Sequence, residues 1–207
     1  MCVKYLVSIE KQEVLLTVLE SNNRLLFSST NNTPKSNMKQ PPYDKFPDIS
    51  DDNISLRQIQ SPELKDLLEI SYYDGVQATT WTQAMEMQTK INADYEQGDS
   101  IHWGIEDKLT QKIIGTCGYY RGFDNGAGEL GCVLLPQYRG HGYMTFALSL
   151  AIDFGRNTIG LKRIWAKTTK ENQKAIDLLE RLNFIKMSDL EDQEIEFELS
   201  QAASVKG

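Results

Sequence analysis

Residues 128–154 read GELGCVLLPQYRGHGYMTFALSLAIDF, and this stretch decides the fold. Residues 130–135 form a short apolar run with a β-branched residue, bounded by glycines behind and Pro136 ahead, which is the pattern of a buried strand. Gln137, Gly140 and Gly142 follow in the spacing Q-x-x-G-x-G, and Met144, Ala147, Leu148, Ala151 and Ile152 then recur as one apolar helical face. The unit is strand, glycine turn, helix. The opening N–H groups of a helix lack internal partners and carry the positive end of its dipole. Glycines let a phosphate approach the backbone, so the junction suits an anion such as a pyrophosphate. A nucleotide P-loop would need Lys-Ser/Thr after its last glycine, and a dinucleotide fingerprint would need three glycines; here Gly142 is followed by Tyr143 and Met144. A turn that needs only flexible residues is the alternative reading.

With Glu129-Leu130-Gly131 before it and Gly142-Tyr143-Met144-Thr145 within it, the stretch resembles the acetyl-CoA-binding motif of the GNAT superfamily of N-acetyltransferases. A second block, NQKAIDLLERLNF at 172–184, is similar to that superfamily's later helix, N-x-x-A/S-x-x-L-x-x-x-x-G-F. The resemblance runs from about Ile54 to Leu199 and is closest to the ribosomal-protein N-terminal (RimJ/RimL-type) branch. It implies an α/β (α+β) GNAT fold: a mixed, mostly antiparallel central sheet with one parallel central strand pair and flanking helices. Two positions depart from the pattern. Asn183 stands where the family usually has glycine, but asparagine tolerates the left-handed conformation that a helix end needs. Leu179 stands where many members have a tyrosine serving as general acid toward the CoA thiolate, so this chain lacks that acid.

The resemblance also implies site roles. Backbone groups of Val133, Leu134 and Leu135 would pair with the pantetheine arm, and Arg139, Gly140, His141, Gly142, Tyr143 and Met144 would surround the pyrophosphate. Asn172 would hydrogen-bond the arm or, compatibly, cap the helix that follows it. The implied reaction is direct attack of a primary amine, a protein N-terminus or a small cationic amine, on acetyl-CoA in a ternary complex. The amine must be neutral to attack, whereas lysine-type and α-amines have pKa values of about 10.4 and about 7.7–8.0. Glu129 matches a glutamate recurrent in this branch and is the candidate general base, acting through water; a structural carboxylate bonding backbone N–H groups or an arginine is the alternative. Tyr143 or water is left as the acid. An acyl-CoA-binding sensor or partner-binding module without turnover is the rival function, favoured by Leu179 and disfavoured by the complete glycine turn and Glu129.

Composition frames these readings. The 207 residues carry a formal net charge of -7 and the sequence pI is near 5.0, which argues against a nucleic-acid partner and would attract a cationic amine. Cys2, Cys117 and Cys132 are odd in number and lie far apart, with no metal spacing, so neither a metal site nor a disulfide framework is expected. They suit a reducing, cytoplasmic setting. No apolar run approaches the roughly 18 residues of a membrane span.

In chain order, residues 1–52 form an extension without a family match. It begins with an apolar stretch containing Val14, Leu15, Leu16, Val18, Leu19, Leu25, Leu26 and Phe27. Residues 28–52, rich in Ser, Asn, Pro and Asp, read as a linker or a long ordered arm. The apolar stretch is expected either to dock on its own domain or to exchange with a second copy as a homodimer. Residues 53–200 hold the acetyltransferase-like domain, and residues 201–207 a frayed tail. Within the domain, Ser61-Pro62-Glu63 reads as a helix start with Ser61 as N-cap. Trp81, Met85, Gln88, Ile91 and Tyr95 read as a second helix ending at Gly98. By resemblance these two helices wall the acceptor groove. Residues 100–106 and 112–120 read as an antiparallel strand pair, with His102 a structural histidine, and residues 163–168 as a strand parallel to the central one.

Overall fold

The computed structural model describes residues 38–200; the expectations for the apolar N-terminal stretch and for the tail lie outside these residues. In chain order the elements are β1 (Ile49–Ser50), β2 (Ile54–Arg57), β3 (Tyr72–Tyr73), β4 (Val76–Gln77), α1 (Trp81–Glu96), β5 (Ile101–Asp107), β6 (Lys112–Tyr120), β7 (Ala127–Leu134), α2 (Tyr143–Phe154), β8 (Arg163–Thr169), α3 (Gln173–Arg181), β9 (Phe184–Asp189) and β10 (Glu194–Leu199). One eight-stranded sheet runs β1-β2-β5-β6-β7-β8-β10-β9, and β3-β4 is a separate hairpin. Every pair in the large sheet is antiparallel except β7–β8. This is the mixed sheet with a parallel central pair that the resemblance implies.

The parallel pair is short. Only Ala127, Gly128 and Glu129 face Arg163, Ile164 and Trp165, although β7 runs on to Leu134 and β8 to Thr169. Beyond Glu129 the two strands part. On its other edge β7 stays paired with β6 through Leu134, and the Leu135 N–H bonds the Ile114 carbonyl at 2.9 Å. Because backbone groups alternate sides along an antiparallel strand, those of Leu135 and Val133 turn toward β6. Those of Leu134 and Cys132 turn into the gap.

Two apolar clusters flank the sheet. The larger gathers Ile101, Trp103, Ile105, Cys117, Tyr119, Leu130, Cys132 and Leu134 under Met144, Ala147, Leu148, Ala151 and Phe154 of α2, with Leu178 and Leu179 of α3. The smaller joins Val133, Leu135 and Ile113 to Ile59, Leu64, Leu67, Ile70 and Ala84. Residues 38–50 lie along the larger cluster: Tyr43 and Phe46 pack edgewise or tilted on Phe154 and Tyr95, and the Pro47 carbonyl accepts from Trp103 Nε1 at 2.8 Å.

Several local expectations change. The run from Ser61 is not one helix but two tight turns, Ser61–Lys65 and Leu68–Ile70, and Gln60 rather than Ser61 precedes the first. Glu63 draws the chain back: it accepts from the Gln60 N–H at 2.7 Å and bonds Arg57 with both oxygens. α1 is capped by the Thr80 hydroxyl, which accepts from Gln83 N. Tyr95 is core, but Trp81 is 44% exposed. Asn183 does adopt the left-handed conformation, with φ 65°.

Gly118 shows how tightly β5 and β6 pack, since a Cβ there would run into the Ile101 carbonyl and crowd the His102 Cα. Gly122, with φ 81°, has open space around it. Gly118→Ala should therefore destabilise the fold by about 1–3 kcal/mol or more through overpacking, whereas Gly122→Ala meets only the left-handed penalty of roughly 1–2 kcal/mol. Urea unfolding of the two variants beside the parent checks the order.

Candidate active site

Side chains that face each other across neighbouring strands share a face of the sheet. His102 faces Gly118, which faces Gly131; Thr116 faces Val133; Tyr120 faces Glu129. These residues therefore share the face that carries the smaller cluster and α1. On that face lies a cavity of about 570 Å³, whose walls include Tyr72, Tyr73, His102, Thr116, Tyr120, Arg121 and Val133.

The cavity wall is acidic. Asp74, Asp94, Asp99 and Asp124 line it, against Arg121 as the cation among the lining residues. Asp94 accepts from the Tyr73 hydroxyl at 3.1 Å, yet its carboxyl pKa is raised, first by burial and also by Asp99 and Asp74, with the Tyr73 bond pulling the other way. Crowded carboxylates of this kind gain from a cation.

Glu129 sits behind Arg121. Its side chain is 1% exposed, and Arg121 Nε lies 3.2 Å from Oε2 with its own side chain 48% exposed. Neither carboxyl oxygen has an aligned hydrogen-bond donor among the described residues. Burial raises the Glu129 pKa, Arg121 and Lys167 oppose the rise, and Glu194 adds to it. Within the structural alternative to the general-base reading, backbone N–H groups do not bond this carboxylate, whereas an arginine stands beside it.

The glycine turn lies at the head of α2, next to the gap between β7 and β8. Gly140 and Gly142 hold φ 82° and 86°, a region that glycine enters freely. A Cβ at Gly140 would meet nothing within 4 Å, and one at Gly142 only a Phe146 ring atom at 3.9 Å. The Thr145 N–H bonds the Gly142 carbonyl, while those of Tyr143 and Met144 have no earlier helical carbonyl to meet. The space over this turn and the outward N–H groups fit a pyrophosphate. Arg139 is half-buried, with Nε donating to the Leu134 carbonyl at 3.0 Å, so its side chain closes the end of β7. His141 is exposed, its ring centroid 6.4 Å from that of Tyr143.

Leu179, already excluded as the acid by its sequence, and Tyr143, left as a candidate, take these places. Leu179 is 1% exposed inside the larger cluster, so α3 offers no hydroxyl. Tyr143 has its pKa raised by burial and by Asp107; Asp107 pairs with Ile54 across β2–β5, on the face opposite His102 and Glu129. The Asn172 side chain accepts from the Ala175 N–H at 3.2 Å, capping α3.

This architecture defines a class, the GNAT fold, here with a strand gap, a glycine turn and a separate cavity alongside. The Acetyltransferase (GNAT) domain family matches residues 50–185, and the chain belongs to that family of N-acetyltransferases. It is 31% identical over 148 residues to an uncharacterized N-acetyltransferase p20 of Bacillus licheniformis, covering 71% of this chain and 80% of that one. It is 33% identical over 99 residues to the [Ribosomal protein uS5]-alanine N-acetyltransferase of Escherichia coli, covering 46% and 50%. Its fold is also that of a putative ribosomal-protein-serine acetyltransferase from Vibrio cholerae, with TM-score 0.67, 19% identity and coverage of 78% and 99%. No helix among the described residues is long and apolar enough to cross a membrane.

His102 is the residue whose setting the sequence did not disclose. The run SIHWGI at 100–105 hides nothing unusual; the cross-strand neighbours of His102 are visible only once the register is known. Burial lowers its pKa from 6.5 to about 4. The unfolded chain thus binds a proton between these values that the folded chain does not, so stability falls as pH drops from 6.5 toward 4. His102→Asn should lessen that loss, by about 1 kcal/mol for each pH unit in the window. Denaturant unfolding at pH 4.5 and 7 in both proteins measures the difference.

Proposed function

We propose that this chain transfers the acetyl group of acetyl-CoA to a primary amine by direct attack in a ternary complex. One observation carries the reading: the unpaired edge of β7 and the open glycine turn at α2 adjoin an acid-walled cavity with a buried carboxylate beside it. The gap-facing backbone groups of β7, those of Leu134 and Cys132, receive the pantetheine arm as an added strand; Val133 and Leu135, which the resemblance also assigns to the arm, turn their backbone groups toward β6 instead. Residues Arg139, Gly140, His141, Gly142, Tyr143 and Met144 surround the pyrophosphate, where outward N–H groups meet the anion. Asn172, already capping α3, lies at the start of the helix beyond β8 and contacts the arm.

The acceptor is a cationic amine, either a small molecule or a protein N-terminus. The four carboxylates of the wall draw it in, and Glu129 takes its proton, directly or through water, to free the lone pair. The amine nitrogen then bonds the thioester carbon, the carbon–sulfur bond breaks, and CoA leaves as the thiolate. A thiol is far more acidic than an amine-derived or alkoxide leaving group, cysteine's having a pKa of about 8.5, so the thiolate can depart without a dedicated acid. The loss of a tyrosine at Leu179 is therefore compatible with turnover.

Acetyl-CoA at 100 times its dissociation constant should stabilise the fold by about 2.7 kcal/mol. Gly142→Val should abolish the shift, because its side chain fills the anion space and its backbone resists φ 86°. Differential scanning fluorimetry reads both; an unmoved melting temperature for the parent protein at millimolar acetyl-CoA contradicts the reading. Glu129→Gln should lower kcat by roughly 100-fold or more at pH 7, leave acetyl-CoA binding unchanged, and recover part of the loss as pH rises and free amine accumulates.

A further inference from the structure

We propose that Arg121 is the positioning residue of the acceptor site: it separates Glu129 from the cavity, holds it as the carboxylate, and gives up its place to the entering ammonium. This rests on the reading of Glu129 as the proton acceptor. The geometry has three parts. Arg121 lines the cavity, whereas Glu129 does not. The arginine Nε stands 3.2 Å from Glu129 Oε2, and Glu129 is 1% exposed while Arg121 is 48% exposed. Without an aligned hydrogen bond to either oxygen, the pair is held by charge rather than by a directional fork, so a second cation can replace the first.

The backbone fixes the arginine there. Arg121 has φ 62° and Gly122 φ 81°, and the Gly122 N–H bonds the Asp99 carbonyl at 2.8 Å. Two consecutive left-handed residues turn the chain sharply as it leaves β6, and a non-glycine residue holds this conformation only where its surroundings favour it. Tyr120, next to Arg121, faces Glu129 across β6–β7 and has its ring centroid 5.5 Å from that of His102. The arginine therefore stands at the junction of the cavity floor and the buried carboxylate.

The exchange balances simply. An ammonium R–NH₃⁺ displaces the guanidinium toward the wall carboxylates, passes one proton to Glu129, and becomes R–NH₂ with Glu129 neutral. After C–N bond formation and C–S cleavage, the new amide nitrogen loses its second proton to the departing thiolate. Glu129 returns its proton to solvent as Arg121 swings back. Among the described residues, the other charged groups acting on Glu129 are Lys167 on β8 and Glu194 on β10, and neither lines the cavity.

The test compares the parent with Arg121→Gln and Arg121→Lys, all three side chains facing the same left-handed backbone. The Glu129 carboxyl is followed by ¹³C NMR with labelled glutamate, its signal assigned by absence from Glu129→Gln. Arg121→Gln should raise the Glu129 pKa by about 1 unit or more, and Arg121→Lys should restore most of it. With the amine giving fastest thiol release from a panel, the acid limb of kcat/KM should move to higher pH in Arg121→Gln by the same amount, while the KM for the amine does not rise. A carboxyl that titrates alike in all three proteins overturns the inference. If no amine releases thiol, the proposed function fails and the carboxyl titration still decides the role of Arg121; thiol release with an unmoved carboxyl sinks the inference alone.

Discussion

The structure depends on one constraint: β7 and β8 are parallel neighbours for only three residue pairs and then separate. Buried backbone N–H and C=O groups require partners, and a strand edge opened inside a sheet leaves them facing a gap. β6 holds the other edge of β7 in register through Leu134, and the Leu135–Ile114 bond extends that hold. Arg139 satisfies the last gap-facing carbonyl, at Leu134. The remaining gap is what allows an extended ligand to complete the sheet, as peptides do when they add to an exposed edge.

From that gap the two sides of the sheet take different work. On one side, α2 brings its amino-terminal end and the glycine turn over the opening, packed down by Met144, Ala147, Leu148 and Ala151. Gly155 gives Tyr119 the room to reach under the helix, where its hydroxyl donates to the Ala151 carbonyl at 2.9 Å, and the helix ends in one wider turn in which the Gly160 N–H bonds the Gly155 carbonyl. On the other side, the tight turns after Gln60 and the hairpin β3–β4 stand over the sheet and leave the acidic cavity. Glu129 lies where β7 is still paired to β8, one step before the strands part. A carboxylate is thereby held out of water close to the opening, and its energetics are dominated by desolvation and by Arg121.

Much of this was legible in the residues. Pro136, the two glycines and the apolar repeat from Met144 mark strand, turn and helix because each has a local physical requirement that few residues meet. The α3 cap at Asn172 and the left-handed Asn183 were legible for the same reason. The segment from Ser61 was not: Pro62 and the leucines suit a helix, but Glu63 is drawn to Arg57, forty-nine residues from the Glu106 that the same arginine bonds, and a tertiary ion cluster wins over local propensity. The His102 floor and the Arg121 contact also escaped, since both arise from strand register, which brings together residues that no spacing rule connects.

The central claim is that the gap and the cavity serve one reaction, so that a thioester and an amine meet at the parting of β7 and β8. Its most direct measurement is the initial rate of thiol release from acetyl-CoA, at pH 8, across a panel of primary amines and peptides with free N-termini. The account predicts a release rate that depends on the amine and saturates with it, and that falls when the amine is replaced by its dimethylated counterpart. Release that is the same with and without every amine, from protein that binds acetyl-CoA, would contradict it.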